Sequence, residues 1–174
     1  MEAKNIFLVG PMGVGKTTIG RQLAKALAMQ FVDSDHEIED RTGADIPWIF
    51  DIEGEEGFRD RESAVIEELT KRNGIVLATG GGAVLDERNR TNLMSNGVVV
   101  YLRASLEKLL QRTNKDRSRP LLQTDDPKAK IQEILLQRDP LYSEVADIII
   151  DTERRNVSNS VKLILSEIKK LSEF

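Results

Sequence analysis

Apolar positions along this chain follow two alternating rhythms. Short, nearly continuous apolar runs rich in β-branched residues, of which Ile6-Phe7-Leu8-Val9 is the first, give way to longer stretches with a helical spacing, as Ile19, Leu23 and Leu27 show. A continuous apolar run reads as a strand buried on both faces, and the longer period as an amphipathic helix. Strands are predicted at Asn5–Val9, Phe31–Asp33, Ile75–Ala78, Val98–Leu102 and Asp147–Asp151. Helices are predicted at Lys16–Met29, Gly57–Lys71, Asp86–Ser95, Ser105–Thr113, Lys128–Arg138 and Val157–Leu171, with short helical pieces at His36–Arg41 and Ile46–Asp51. Such alternation predicts an α/β fold in which a five-stranded parallel sheet lies between two layers of helices, a three-layer α/β/α arrangement with right-handed crossovers. Ligands in these sheets gather beyond the carboxyl ends of the strands, here the loops after Val9, Asp33, Ala78 and Leu102.

Two stretches break the alternation. Asp35 to about Gly57 is polar and punctuated by glycine, and Thr113 to Asp126 has neither period while carrying Arg117, Arg119 and Pro120. Long connections inside a compact domain usually serve function. They read as a substrate-binding segment over about 35–62 and a lid over about 113–126, both within one domain spanning 1–174. Trp48 is the only tryptophan and is expected to pack in the core beneath Ile46 and Ile49.

Composition narrows the function classes. The chain has 174 residues, 40% hydrophobic and 31% charged, which suits one soluble domain with a full core. A net charge of -4 argues against a general nucleic-acid binder. With no cysteine there are no disulfides, thiolate metal sites or cysteine nucleophiles, and with His36 as the single histidine neither a His-rich metal site nor a Ser-His-Asp triad is expected. The apolar run before Gly10 is too short for a secretory segment, and no run approaches a membrane span. A cytoplasmic monomer is the expectation.

The chemistry starts at Gly10-Pro11-Met12-Gly13-Val14-Gly15-Lys16-Thr17, which fits G-x-x-x-x-G-K-[ST] between a predicted strand and a predicted helix. There the glycines let successive N–H groups turn inward onto phosphate oxygens, and the helix start adds its positive end. Lys16 can reach the β- and γ-phosphates, and Thr17 can offer its hydroxyl to Mg²⁺. Asp33-Ser34-Asp35 closes the second strand, where alternation points both carboxylates to one side. Alone, this pair reads as a turn in which Asp33 caps the next helix. Beside a phosphate loop it reads as a pair that holds Mg²⁺ or accepts a hydroxyl proton. A calcium loop is excluded by Ile38 at the position of its sharp turn. The third strand ends in Thr79-Gly80-Gly81-Gly82 rather than the carboxylate that usually holds magnesium in such enzymes, so Asp33 becomes the donor. The glycines themselves offer bare backbone to a ligand. Arg59 stands near a helix start, an odd place for a cation unless an anion lies there. Arg138 is read at a helix end, where a cation is favourable with no ligand at all. Arg119, in the lid, can reach a transferring phosphoryl group. The basic loop around it lacks the interleaved aromatics of a nucleic-acid surface.

Taken together and in order, Gly10–Thr17, Asp33-Ser34-Asp35, Gly54-Glu55 with Phe58-Arg59 and Glu62, Gly80-Gly81-Gly82, Arg119-Pro120-Leu121-Leu122, and Arg138 with Pro140-Leu141-Tyr142 resemble the shikimate kinases over nearly the whole chain. The resemblance implies the nucleoside-monophosphate-kinase type of P-loop NTPase fold. It also implies transfer of the γ-phosphoryl of ATP to the 3-hydroxyl of shikimate, with Mg²⁺, in aromatic amino-acid biosynthesis. By matching positions, Asp35 would hold the acceptor hydroxyls and act as base or orienting group. Arg59 and Arg138 would clamp the carboxylate, and Gly81, flanked by Gly80 and Gly82, would meet the ring hydroxyls through its backbone. Thr17 and Asp33 would position Mg²⁺, and Lys16 and Arg119 would stabilise the transferring charge. ATP would lie along Gly13, Val14, Gly15, Lys16, Thr17 and Thr18, with Arg112 and Arg155 flanking adenine, although Arg154 and Arg155 are adjacent and either fits that place. The runner-up is another small-molecule kinase of this fold, such as a gluconate kinase.

Overall fold

The computed structural model describes residues 4–113 and 124–172. Five parallel strands, β1 (Asn5–Val9), β2 (Gln30–Asp33), β3 (Ile75–Ala78), β4 (Gly97–Arg103) and β5 (Ile148–Asp151), form one sheet in the order β2-β3-β1-β4-β5. Every residue of β1 and β3 is buried, as expected of strands covered on both faces. The helices are α1 (Lys16–Leu27), α2 (Ser34–Thr42), α3 (Ile46–Thr70), α4 (Glu87–Asn96), α5 (Leu106–Thr113), α6 (Pro127–Val145) and α7 (Val157–Ser172).

Alternation along β1 and β4 divides the core. Phe7, Val9, Val99 and Tyr101 meet Phe58, Leu69 and Leu93 from α3 and α4 on one face. Ile6, Leu8, Val100 and Leu102 meet Leu23, Leu109 and Ile164 from α1, α5 and α7 on the other. This is the three-layer α/β/α arrangement with a five-stranded parallel sheet. Its geometry sets the ligand position. β1 and β3 are neighbours, but α1 leaves toward one face and α4, entered by a 3₁₀ turn at Ala83–Leu85, toward the other. A crevice therefore opens between the loops after β1 and β3, as at other points where strand order switches direction.

Several element ends differ from expectation, each for a local reason. α1 stops at Leu27 rather than Met29 because Ala28 turns left-handed (φ 53), with its N–H bonding back to the Ala24 and Lys25 carbonyls. The pieces expected at Ile46–Asp51 and Gly57–Lys71 are joined across a kink at Gly54 (φ 74, ψ 177), a conformation that glycine adopts without strain, so Gly57 lies inside the helix. α2 begins at Ser34 rather than His36, capped by Asp33, whose Oδ1 accepts from the N–H groups of Asp35 at 3.0 Å and His36 at 3.2 Å. Asp35 thus lies in a first helical turn, not on the strand. α6 runs through Pro140 to Val145, so Arg138 is well inside it and not at its end. The ring at Pro140 frees the carbonyl of Leu136, a residue 75% exposed where water can serve as partner. Trp48, expected in the core, is 59% exposed on the segment leading to the kink. Among the described residues no helix is long and apolar enough to cross a membrane.

Candidate active site

The loop between β1 and α1 coils as its motif requires. Gly10, Gly13 and Gly15 all hold positive φ, and Gly15 (φ 104) passes directly into α1, a backbone path that a side chain would strain. Lys16 is buried and folds over this loop, its Nζ donating to the carbonyls of Gly10 at 2.6 Å and Pro11 at 2.8 Å. Thr17 donates its hydroxyl to Asp33 Oδ2 at 2.9 Å. One oxygen of Asp33 thus caps α2, and the other accepts from Thr17 beside the phosphate loop. A threonine hydroxyl and a carboxylate oxygen form a hard-oxygen donor pair, the sparse protein set that suits Mg²⁺ when water and phosphate supply the rest. Among the described residues no cluster of three or more acidic, His or Cys side chains offers a fuller cage.

Behind the loop, Arg112 donates from Nη1 to the Gly13 carbonyl at 3.1 Å and the Val14 carbonyl at 2.9 Å. With Arg155, Gly15 and Thr18 it lines a recess of about 220 Å³. Arg155 reaches this recess and bonds the Asp151 carbonyl, whereas Arg154 is not part of its wall.

A second, larger cavity of about 770 Å³ brings the Thr17–Asp33 pair together with the acceptor residues named from sequence: Thr17, Asp33, Asp35, Arg59, Arg138 and Gly80 through Gly82 all line it. α2 brings Asp35 from its first turn, the part of α3 beyond the kink brings Arg59, and α6 brings Arg138. The glycine loop is fastened from both sides. The Gly80 N–H donates to the buried Ser34 hydroxyl at 3.0 Å, and the Tyr142 hydroxyl donates to the Gly81 carbonyl at 2.5 Å. Burial pushes the Tyr142 phenol up to about 12, so it remains a donor throughout the working range.

The glycines also make room for the charged groups. A Cβ at Gly80 would lie 2.7 Å from Asp35 Oδ1 and 2.9 Å from Glu62 Oε2, and one at Gly82 would lie 2.5 Å from Arg59 Nη1. Gly82→Ala should therefore fold but displace the Arg59 fork, raising the acceptor KM up to ~10²-fold with little change in the ATP KM. Steady-state kinetics with each substrate varied in turn would check this; an unaltered acceptor KM would detach Arg59 from the acceptor.

Arg138 is 3% exposed and, among the described residues, has no carboxylate within 4.0 Å and no partner at Nε. A buried guanidinium without an ion pair is costly, so the helix-end explanation of Arg138 falls and an anion-binding role gains weight. Arg59, by contrast, pairs with Glu62 at 2.9 Å and with the half-exposed Glu55 at 3.5 Å.

Glu62 was given no role of its own, and the sequence signals for one are its place among the pieces that carry the resemblance and its i,i+3 spacing from Arg59. It is 1% exposed, and burial foremost pushes its carboxyl up to about 7, against the attraction of Arg59. Because its pKa is raised on folding, the stability it confers is complete below the ordinary carboxyl value and is lost as pH rises toward and through 7. The stability of the protein relative to its Glu62→Gln variant should fall by on the order of 3 kcal/mol between pH ~4.5 and pH ~8. Urea unfolding of both proteins across that range checks it; a constant difference would remove the buried, proton-binding Glu62.

Arg119 and the lid at 113–126 fall, apart from Thr113 and residues 124–126, outside the described residues.

Comparisons with known proteins follow the same lines. Residues 12–169 match the family model described as shikimate kinase. A shikimate kinase from Vibrio parahaemolyticus is 57% identical over 99% of this chain and 98% of its own length. The structure of a shikimate kinase from Acinetobacter baumannii in complex with shikimate superposes with a TM-score of 0.95 at 53% identity, covering 97% of this chain and 94% of that one. A gluconokinase from Sinorhizobium meliloti shares the fold alone, at a TM-score of 0.61 and 18% identity over 98% of this chain and 94% of that one.

Proposed function

The chain belongs to the shikimate kinase family and is an ATP-using phosphotransferase that acts on shikimate, transferring the γ-phosphoryl group to its 3-hydroxyl; from that premise we propose a role for each residue of the site. The observation that carries the assignment is the single cavity running from Thr17 and Asp33 to Asp35, Arg59 and Arg138. A donor and a small hydroxylated acid bound in one such space can meet in line, which supplies most of the rate in this class of reaction.

Arg59 and Arg138 clamp the carboxylate of shikimate as paired forks, neutralising and orienting it. The backbone of Gly80, Gly81 and Gly82 meets ring hydroxyls. Asp35 accepts the proton of the 3-hydroxyl as its oxygen bonds to the γ-phosphorus and the bond to the β-γ bridging oxygen breaks, leaving ADP. Lys16 exchanges its carbonyl partners for the β- and γ-phosphates, while Gly13, Val14, Gly15 and Thr18 supply the rest of the phosphate cradle. Arg112 and Arg155 flank the adenine. Thr17 and Asp33 hold Mg²⁺, which supplies charge neutralisation at the phosphates when bound. Arg119, in the lid, offsets charge on the group in transfer. The architecture is one kinase domain over 1–174, with 35–62 as substrate-binding segment and 113–126 as lid. It works as a cytoplasmic monomer on ATP and shikimate without a membrane partner, and its acidic balance speaks against a nucleic-acid partner.

A coupled assay of ADP release with Mg-ATP tests this reading. Shikimate is expected to drive turnover and gluconate to leave it at background; turnover with gluconate alone would overturn the acceptor assignment.

A further inference from the structure

We propose that Glu62 is a proton-binding positioning residue: as a carboxylate it holds Arg59 in the empty site, and it takes up a proton when the anionic acceptor docks against Arg59 and Arg138. The proposal rests on the acceptor site described above and adds to it a coupled protonation.

Charge balance among buried and half-buried groups is the reason. Arg59 and Glu62 come from α3, Asp35 from α2 and Arg138 from α6, and with both carboxylates ionised these four groups sum to zero. An acceptor carboxylate leaves the site one negative charge in excess, and it draws on the same guanidinium that Glu62 Oε1 holds at 2.9 Å. In a poorly hydrated pocket, two carboxylates contending for one cation drive one of them to protonate. Protonation restores the neutral sum.

Glu62 is better suited to that proton than either neighbouring acid. Asp35 sits in the first turn of α2, beside the positive end of that helix. Glu55, also on α3, is half-exposed and screened by water. Glu62 lies further along its helix, 1% exposed, and its Oε2 is buried with no hydrogen-bond partner among the described residues. That oxygen is walled by Gly80 and carries no donor that a proton would displace. Tyr142, the remaining titratable group on this side of α6, keeps its proton. Burial already brings the Glu62 carboxyl up to about 7 before any acceptor arrives, so a modest added repulsion suffices.

The sign follows. Proton uptake makes acceptor binding weaken as pH rises, by up to about tenfold in Kd per unit above pH ~7. Calorimetric titration of the full chain with shikimate, without nucleotide, in two buffers of different ionisation enthalpy reads the uptake directly. The expected value is ~0.4–0.9 proton per acceptor at pH ~8, dropping to ~0.1 or less at pH ~6. Glu62→Gln should still bind shikimate, with uptake near zero at both pH values. Binding by the unmodified chain without uptake at pH ~8, or undiminished uptake in Glu62→Gln, overturns the proposal and leaves the acceptor site standing. Failure of shikimate to bind at all overturns both. Should Glu62→Gln not fold, the wild-type Kd decides: a flat profile from pH ~6 to ~8.5 overturns the proposal and a rising one supports it.

Discussion

Replacing Asp35 with alanine is expected to lower kcat by roughly 10²- to 10⁴-fold, the range a positioned proton acceptor contributes. The loss should appear with shikimate and ATP both saturating, because a proton acceptor acts on the reacting hydroxyl and not on ground-state affinity alone. The ATP KM should hardly move, since Lys16, Thr17 and Arg112 make their bonds within the phosphate loop or to Asp33. Folding should survive as well. The cap of α2 is the Asp33 carboxylate, and what it receives from Asp35 is the backbone N–H, which alanine retains. Asp35 also repels Glu62, so its removal should let the Glu62 carboxyl fall somewhat from its raised value. Asp35→Asn keeps the shape and a hydrogen-bonding oxygen but cannot take a proton. If Asp35 is the base, the asparagine variant will be nearly as slow as the alanine variant; if it only orients, the asparagine variant will recover most of kcat. Either variant retaining more than about a tenth of the wild-type kcat at saturation would remove Asp35 from proton transfer.

What was legible in the sequence depended on how local its cause is. β1, the phosphate loop and the start of α1 form one uninterrupted unit whose glycines, lysine and threonine state their geometry within a few residues, and they stand as expected. The parallel sheet was legible from continuous apolar runs for a similar reason. Element ends were harder. Nothing in alanine announces the left-handed turn at Ala28 that stops α1. Pro140 reads locally as a helix stop, yet α6 continues because the freed carbonyl lies on the solvent side and Tyr142 and Val145 pack into the core beyond it. That single misreading moved Arg138 from a harmless helix end to a buried interior position. Gly54 and Gly57 look alike in sequence, but only Gly54 takes the backbone path that bends α3. Trp48 was expected beneath Ile46 and Ile49 in the substrate-binding segment and faces water all the same. Glu62 is marked by the resemblance, but its burial is not. It is one of several acids along α3, and only the closure of α2, α6 and the glycine loop around it makes it unlike the others. Local pattern identifies which residues can do the chemistry; burial, which tunes them, comes from tertiary packing.

Arg138→Met makes the sharpest separation between a residue kept for the fold and one kept for a ligand. The shikimate KM is expected to rise about 30- to 1000-fold, corresponding to the ~2–4 kcal/mol lost when a desolvated anion forfeits one of its two forks. The empty protein, however, should be at least as stable as before. Arg138 is 3% exposed without an ion pair among the described residues, and its hydrogen-bonding neighbour Tyr142 keeps the Gly81 carbonyl. Methionine has similar bulk and no charge to desolvate, the kind of exchange that is often neutral or stabilising in a protein interior. Loss of the cation pushes the Glu62 carboxyl further up, toward its protonated form, which avoids an uncompensated carboxylate near the vacated position. Thermal unfolding with and without shikimate reads both halves at once. At ~100 times its Kd, shikimate should stabilise the unmodified protein by about 2.7 kcal/mol, a rise of roughly 5–10 °C for a chain of this size. In Arg138→Met the melting temperature of the empty protein should hold or increase, and the shikimate-induced rise at that same concentration should shrink to about a third of its size or less. A variant that melts several degrees lower when empty but keeps the full rise on adding shikimate would make Arg138 a structural residue, and the acceptor carboxylate would then rest on Arg59 alone.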